Sequence, residues 1–208
     1  VPTLPNNGGG GFWKAPQLSS NLSISEAKER VNVALQAGPM WKYVTNMGVY
    51  HCPGDLRTKR LRLGAGWAWD SYAKANGMNG GDWQGSRFTG MQPIYQKSGE
   101  VFGPSEAIVF VEEADSRGFN AGTWVLNVAP APGWNDSLAL FHGNISSFSF
   151  ADGHARMRTW RDKATIKAGT AQALGQYSHR WPGGNVTNPE FVWVYNRYQH
   201  KKFTPLKK

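Results

Sequence analysis

The chain has 208 residues, a net charge of +9 and a hydrophobic share of 40%. That share supports a buried core and argues against global disorder, and the length suits one domain. A single cysteine, Cys52, excludes an internal disulfide and any zinc centre made from four cysteines, or from two cysteines and two histidines.

Residues 1–22 are rich in Pro, Gly, Asn and Ser and read as an irregular entry segment to one globular unit, 23–208. The chain starts at Val1 without a Met, as a processed or trimmed product would, so a segment upstream is expected. Ser23 or Ser25 can cap a helix over 24–37. Ala27, Val31, Ala34 and Leu35 recur at helical spacing there, and Gly38-Pro39 ends it. A short helical turn is expected over 40–45. Residues 60–103 are Gly-rich and predict short strands in long loops. The apolar run 107–112 predicts a strand buried on both faces, and 124–128 another.

The clearest local pattern runs from 138 to 160. Residues 138–142 predict a strand and Gly143-Asn144 a turn. Ser147-Phe148-Ser149-Phe150 alternates with period two, which places both Phe rings on one face. Asp152-Gly153 is a hairpin turn, because glycine takes positive φ freely. Residues 155–160 return as a third strand, giving an antiparallel meander. A helix or loop follows to Gly175, and 189–198 predicts a terminal helix. The expected class is α+β, an antiparallel sheet packed on a helix with long Gly- and Trp-rich loops. No apolar run of about 18 residues spans a membrane.

Several residues invite a chemical reading. His142 and Asp152 resemble a base and its orienter. No G-x-S-x-G marks a nucleophile, and Cys52 sits in a Cys-Pro turn as a small buried hydrophobe would. The favoured reading makes Asp152-Gly153 a turn and His142 a structural neighbour, so no catalytic residue and no enzyme is expected. His142, Asp152 and His154 also form a candidate metal set near one hairpin, at a spacing that matches no established motif. The acidic stretch 112–120 offers Glu113, Asp115 and Asn120 as candidate calcium ligands, against the simpler reading of a solvated loop paired with Arg. Trp67, Trp69, Trp83 and Trp134 are candidates for stacking on sugar rings, against ordinary core packing. The basic balance favours acidic partners such as anionic polysaccharide, with no specific nucleic-acid site.

His142, nine residues, then Asp152-Gly153 resembles the H-x9-DG signature of prepilin-type processing-associated proteins. Three further segments resemble that family in the same order. The first is Trp41-Lys42-Tyr43-Val44-Thr45-Asn46 with Val49-Tyr50-His51-Cys52-Pro53-Gly54-Asp55. The second is Ser71-Tyr72-Ala73 with Asn76-Gly77-Met78-Asn79-Gly80. The third is Asn188-Pro189-Glu190-Phe191-Val192-Trp193. The resemblance covers about residues 40–195. It implies a pilin-like head whose helix continues from an N-terminal membrane anchor missing here. It also implies an extracytoplasmic location and assembly with other pilin or pseudopilin subunits and the secretion machinery. Calcium is a possible cofactor by the same resemblance, and Cys52 is a possible disulfide partner for a cysteine beyond this sequence. The alternative expectation is a secreted module that binds carbohydrate or polyanions through its Trp-rich loops.

Overall fold

The structure, a computed structural model, describes residues 22–59, 69–78, 94–114, 123–176 and 181–207. Helix α1 covers Ile24–Gln36. Ser23 caps it, accepting from the Glu26 backbone N–H while the Glu26 carboxylate accepts from the Ser23 backbone N–H. This reciprocal pair satisfies donors that a helix start leaves open. It also means that α1 begins at Ile24. Leu22 and Ser23 are non-helical.

Among the described residues seven strands follow: β1 Tyr72–Ala75, β2 Ile108–Glu112, β3 Thr123–Trp124, β4 Leu126–Asn127, β5 Gly133–Trp134, β6 Ile145–Phe150 and β7 Ala155–Thr159. Five of them form one sheet in the order β3-β1-β2-β6-β7, and β4 pairs with β5. The sheet is mixed, because β1 and β3 run parallel while its other pairs are antiparallel. The expected all-antiparallel sheet is corrected on that point. The expected meander is corrected too. β6 and β7 form the hairpin, with Gly153 at φ 94°, but the neighbour on the other side of β6 is β2. Residues 138–142 make only isolated bridges, Glu113 to Leu138 and His142 to Ile145. The predicted strand over 124–128 is split into β3 and β4.

The alternation of each strand divides the side chains between two cores. Ala73, Ala75, Val111, Phe148 and Phe150 face the larger one, with Trp124, Trp160, Phe191, Tyr195 and Tyr198. Helices α2, Lys163–Ala173, and α3, Pro189–Tyr195, contribute to this core through Ile166, Ala168, Phe191 and Val194. A register shift between Ile108 and Phe110 keeps Ile108 with Val111 in this core and turns Phe110 to the opposite face. There Phe110 packs with Ala27, Val31, Ala34 and Leu35 of α1. Burying Val31 and Leu35 stabilises the docked helix by about 1.5–3 kcal/mol each.

Candidate functional site

Two buried carboxylates organise the end of the sheet where β1 and β2 meet. Tyr72 is registered opposite Glu112, the last residue of β2. Glu112 is 1% exposed, and an ionised carboxylate at such a position is costly without partners. Its Oε1 accepts a 2.7 Å hydrogen bond from Ser147 Oγ on the neighbouring β6. Its Oε2 is buried and has no hydrogen-bond partner. Burial pushes the Glu112 carboxyl above its ordinary pKa, against the opposing pull of Ser147 and His142.

The second carboxylate, Asp55, belongs to the Cys52-Pro53-Gly54-Asp55 turn. Asp55 forms a buried ion pair with Arg57, with Nη2 to Oδ2 at 2.6 Å. The same guanidinium donates to the carbonyls of Asp70 and Glu113, at 3.0 and 3.1 Å. Ser71 Oγ donates to Asp55 and accepts from the Cys52 backbone N–H. The turn is therefore clamped to the segment before β1 and to the end of β2. Gly54 lets it approach a third segment. A Cβ at this position would lie 2.8 Å from the Phe141 carbonyl oxygen and 3.3 Å from His142 Cε1.

These contacts bring Cys52, Glu112 and His142 together. His142 Nε2 lies 3.1 Å from Cys52 Sγ and 3.5 Å from Glu112 Oε1. One ligand atom from each of the three residues lies within 4.8 Å of the others. The Cys52 thiol is raised above its ordinary pKa by burial, with the Glu112 charge adding to the effect. Tyr72 lies beside Cys52. Its hydroxyl is pushed up to about 12, first by burial and then by Cys52 and Glu112. The His142 side chain is 42% exposed and forms the outer wall of the cluster.

The arrangement lacks what an activated cysteine nucleophile requires. In a catalytic triad the acid holds one imidazole nitrogen and the nucleophile faces the other. Here both Glu112 and Cys52 face Nε2. Reactive cysteines also have lowered pKa values, and that of Cys52 is raised.

The candidate residues read from the sequence are distributed differently. Asp152 and His154 pair with each other, Nδ1 to Oδ1 at 2.6 Å, at the turn after β6, whereas His142 precedes that strand. Six strand residues rise about 20 Å. This separation removes both the His142–Asp152 dyad and the three-residue metal set with His154. Glu112 and Glu113 lie in the interior at the end of β2 and not in a solvated loop, and Glu113 bridges to Leu138. Asp115 and Asn120 fall outside the described residues, as do Trp67 and Trp83. Trp134 is 4% exposed, packed edge-on to Phe191 in the larger core, so it offers no stacking face. Trp69 is half-buried, stacked on His51 at 4.4 Å with Lys28 on its ring. No motif in the sequence pairs Cys52 with His142 or marks Tyr72, Ser71 and Arg57 as site residues. A signal was present: an acidic residue closing an apolar strand needs a partner, which singles out Glu112.

A second feature lies on the far side of the sheet. A groove of about 700 Å³ is lined by Arg156, Arg158, Arg161, Asp162, Glu190 and Trp193, among others. Trp193 carries the guanidinium groups of Arg158 and Arg197 at 4.1 and 4.3 Å from its ring. Arg158 also pairs with Glu190, which accepts from the Arg161 backbone N–H. The chain matches no family model, no curated protein and no solved structure.

Proposed function

We propose that this chain is the globular head of a pilin-like filament subunit, of the kind used in protein secretion or surface attachment. One observation supports the reading best. Three of the segments that resemble the prepilin-type pattern, scattered along the sequence, meet in space, and the fourth docks just beyond Asp152-Gly153. Cys52 and Asp55 bond to Ser71, and Cys52 meets His142. Glu190 of Asn188-Pro189-Glu190 bonds to Arg158 and to the Arg161 backbone N–H, both in the segment that follows Asp152-Gly153. A motif whose parts brace one another sets a scaffold's shape, which is what a repeating structural subunit needs. On this reading the head is extracytoplasmic and assembles with further copies or related subunits. An apolar anchor joins it through the entry segment ahead of the capped α1. The coding region upstream of Val1 tests this. A short basic leader followed by about 20 apolar residues supports the anchor. An ordinary cleavable signal peptide ending at Val1 opposes it.

The groove beside Trp193 favours a second reading, a module that binds anionic polysaccharide. Arg156 and Arg161 are exposed on its rim, and an aromatic face with guanidinium groups suits an acidic sugar. The site differs from the Trp-rich loops expected from the sequence. Retention on an acidic polysaccharide column that Trp193→Ala abolishes supports it. Retention that depends on salt but not on Trp193 reports charge alone.

A further inference from the structure

We propose that Cys52 Sγ, His142 Nε2 and the Glu112 carboxylate bind one divalent transition-metal ion of the zinc class. The donors come from three segments far apart in sequence, yet their ligand atoms converge within 4.8 Å. Two of the three separations are close to those within a coordination shell. Zinc bonds of about 2.0–2.3 Å to nitrogen, oxygen and sulfur give tetrahedral edges of about 3.3–3.6 Å. The observed Sγ to Nε2 and Nε2 to Oε1 separations are 3.1 and 3.5 Å. A single imidazole nitrogen facing both a thiol and a carboxylate is hard to account for by hydrogen bonds alone. It carries one proton or one lone pair, so it serves one of them at a time. A cation among the three satisfies all of them at once.

A second observation points the same way independently. Glu112 is 1% exposed and its Oε2 lacks a hydrogen-bond partner. A buried oxygen of this kind costs free energy, which a carboxylate held on the ion through both oxygens, with Oε1 the one nearer His142, recovers. The supporting contacts fit a metal site as well. Ser147 Oγ orients the carboxylate through Oε1. The Cys52 backbone is held by Ser71, which the Asp55–Arg57 pair holds in turn. Mixed thiolate, imidazole and carboxylate donors suit zinc or cobalt(II) better than calcium or magnesium, which prefer all-oxygen sets. The half-exposed His142 gives the ion a route in and leaves a fourth position for water.

The test uses the chain kept reduced with a phosphine, stripped with a chelator and titrated with cobalt(II), then with zinc. The expected result is one equivalent of cobalt showing a thiolate-to-metal charge-transfer band and tetrahedral visible bands, both displaced by zinc. Zinc at about 100-fold above its Kd raises Tm by about 5–10 °C. His142→Ala, at a half-exposed position, keeps the far-ultraviolet circular dichroism of the parent and loses both the cobalt spectrum and the Tm shift. Three results overturn the proposal: no cobalt spectrum in the folded parent chain, a cobalt spectrum without the thiolate band, or undiminished binding by His142→Ala. None of them bears on the filament reading, which depends on the anchor and not on the ion.

Discussion

Arg57 shows how one residue can hold several segments in place. Its guanidinium is buried with Asp55 and reaches two backbone carbonyls, so it joins the cysteine turn to β1 and β2. Removing one partner of a buried pair leaves the other charge uncompensated, which costs about 3–5 kcal/mol. Arg57→Met should therefore lower urea-unfolding stability by about that much. Adding Asp55→Asn should recover part of the loss, giving a double-mutant cycle with clear non-additivity. Additive losses would mean that the pair is not coupled.

Lys74 offers a pH prediction at the same scale. It lies on β1 beside Phe110, and burial lowers its pKa to about 8 from an ordinary 10.5. Between those values the unfolded chain holds a proton that the folded chain has released, so stability from this group rises with pH across that window. At neutral pH the folded state carries the cost of burying the charge. Lys74→Met should raise stability at pH 7 by on the order of 2 kcal/mol and flatten the slope between pH 8 and 10.5. An unchanged slope in parallel denaturation series would contradict this.

At the scale of elements, the close fit of the Cys52–Asp55 turn against residues 141–142 depends on the missing side chain of Gly54. Gly54→Ala places a methyl group against backbone, which the turn can relieve only by moving away. The expected cost is about 1–3 kcal/mol, together with a faster reaction of Cys52 with a thiol reagent. A variant as stable and as slow to react as the parent would show that the turn has room to spare. Local elements were well marked in the sequence. The Ala27, Val31, Ala34 and Leu35 stripe gives α1, and Asp152-Gly153 gives the β6–β7 turn. Both depend on short-range periodicity and turn chemistry. The partner of β6 did not follow from adjacency, because β2 comes from far earlier in the chain. Residues 138–142 are apolar enough for a strand, but Leu138 and Leu140 are spent on the larger core and the segment makes only single bridges.

At the scale of the whole molecule, the candidate site was legible as separate pieces. Cys52, Asp55 and His142 all stood out as motif residues. Their meeting depends on the strand order, which brings the turn before β1, the end of β2 and the loop before β6 to one place. Glu112 and Tyr72 enter the site only because they are registered opposite each other. The larger core explains Trp134 and Trp124 in the same way, as packing residues that tryptophan content alone could not separate from ligand-facing ones.

The filament reading is tested most directly in the source cells, by shearing surface fibres from them and probing the fractions with an antibody to this head. On the filament reading the head sediments with the sheared fibres, and deleting an anchor segment encoded upstream of Val1 releases it into the soluble fraction. Recovery of the intact native protein only as a free species in the medium, with none on fibres or in the membrane fraction, would contradict it.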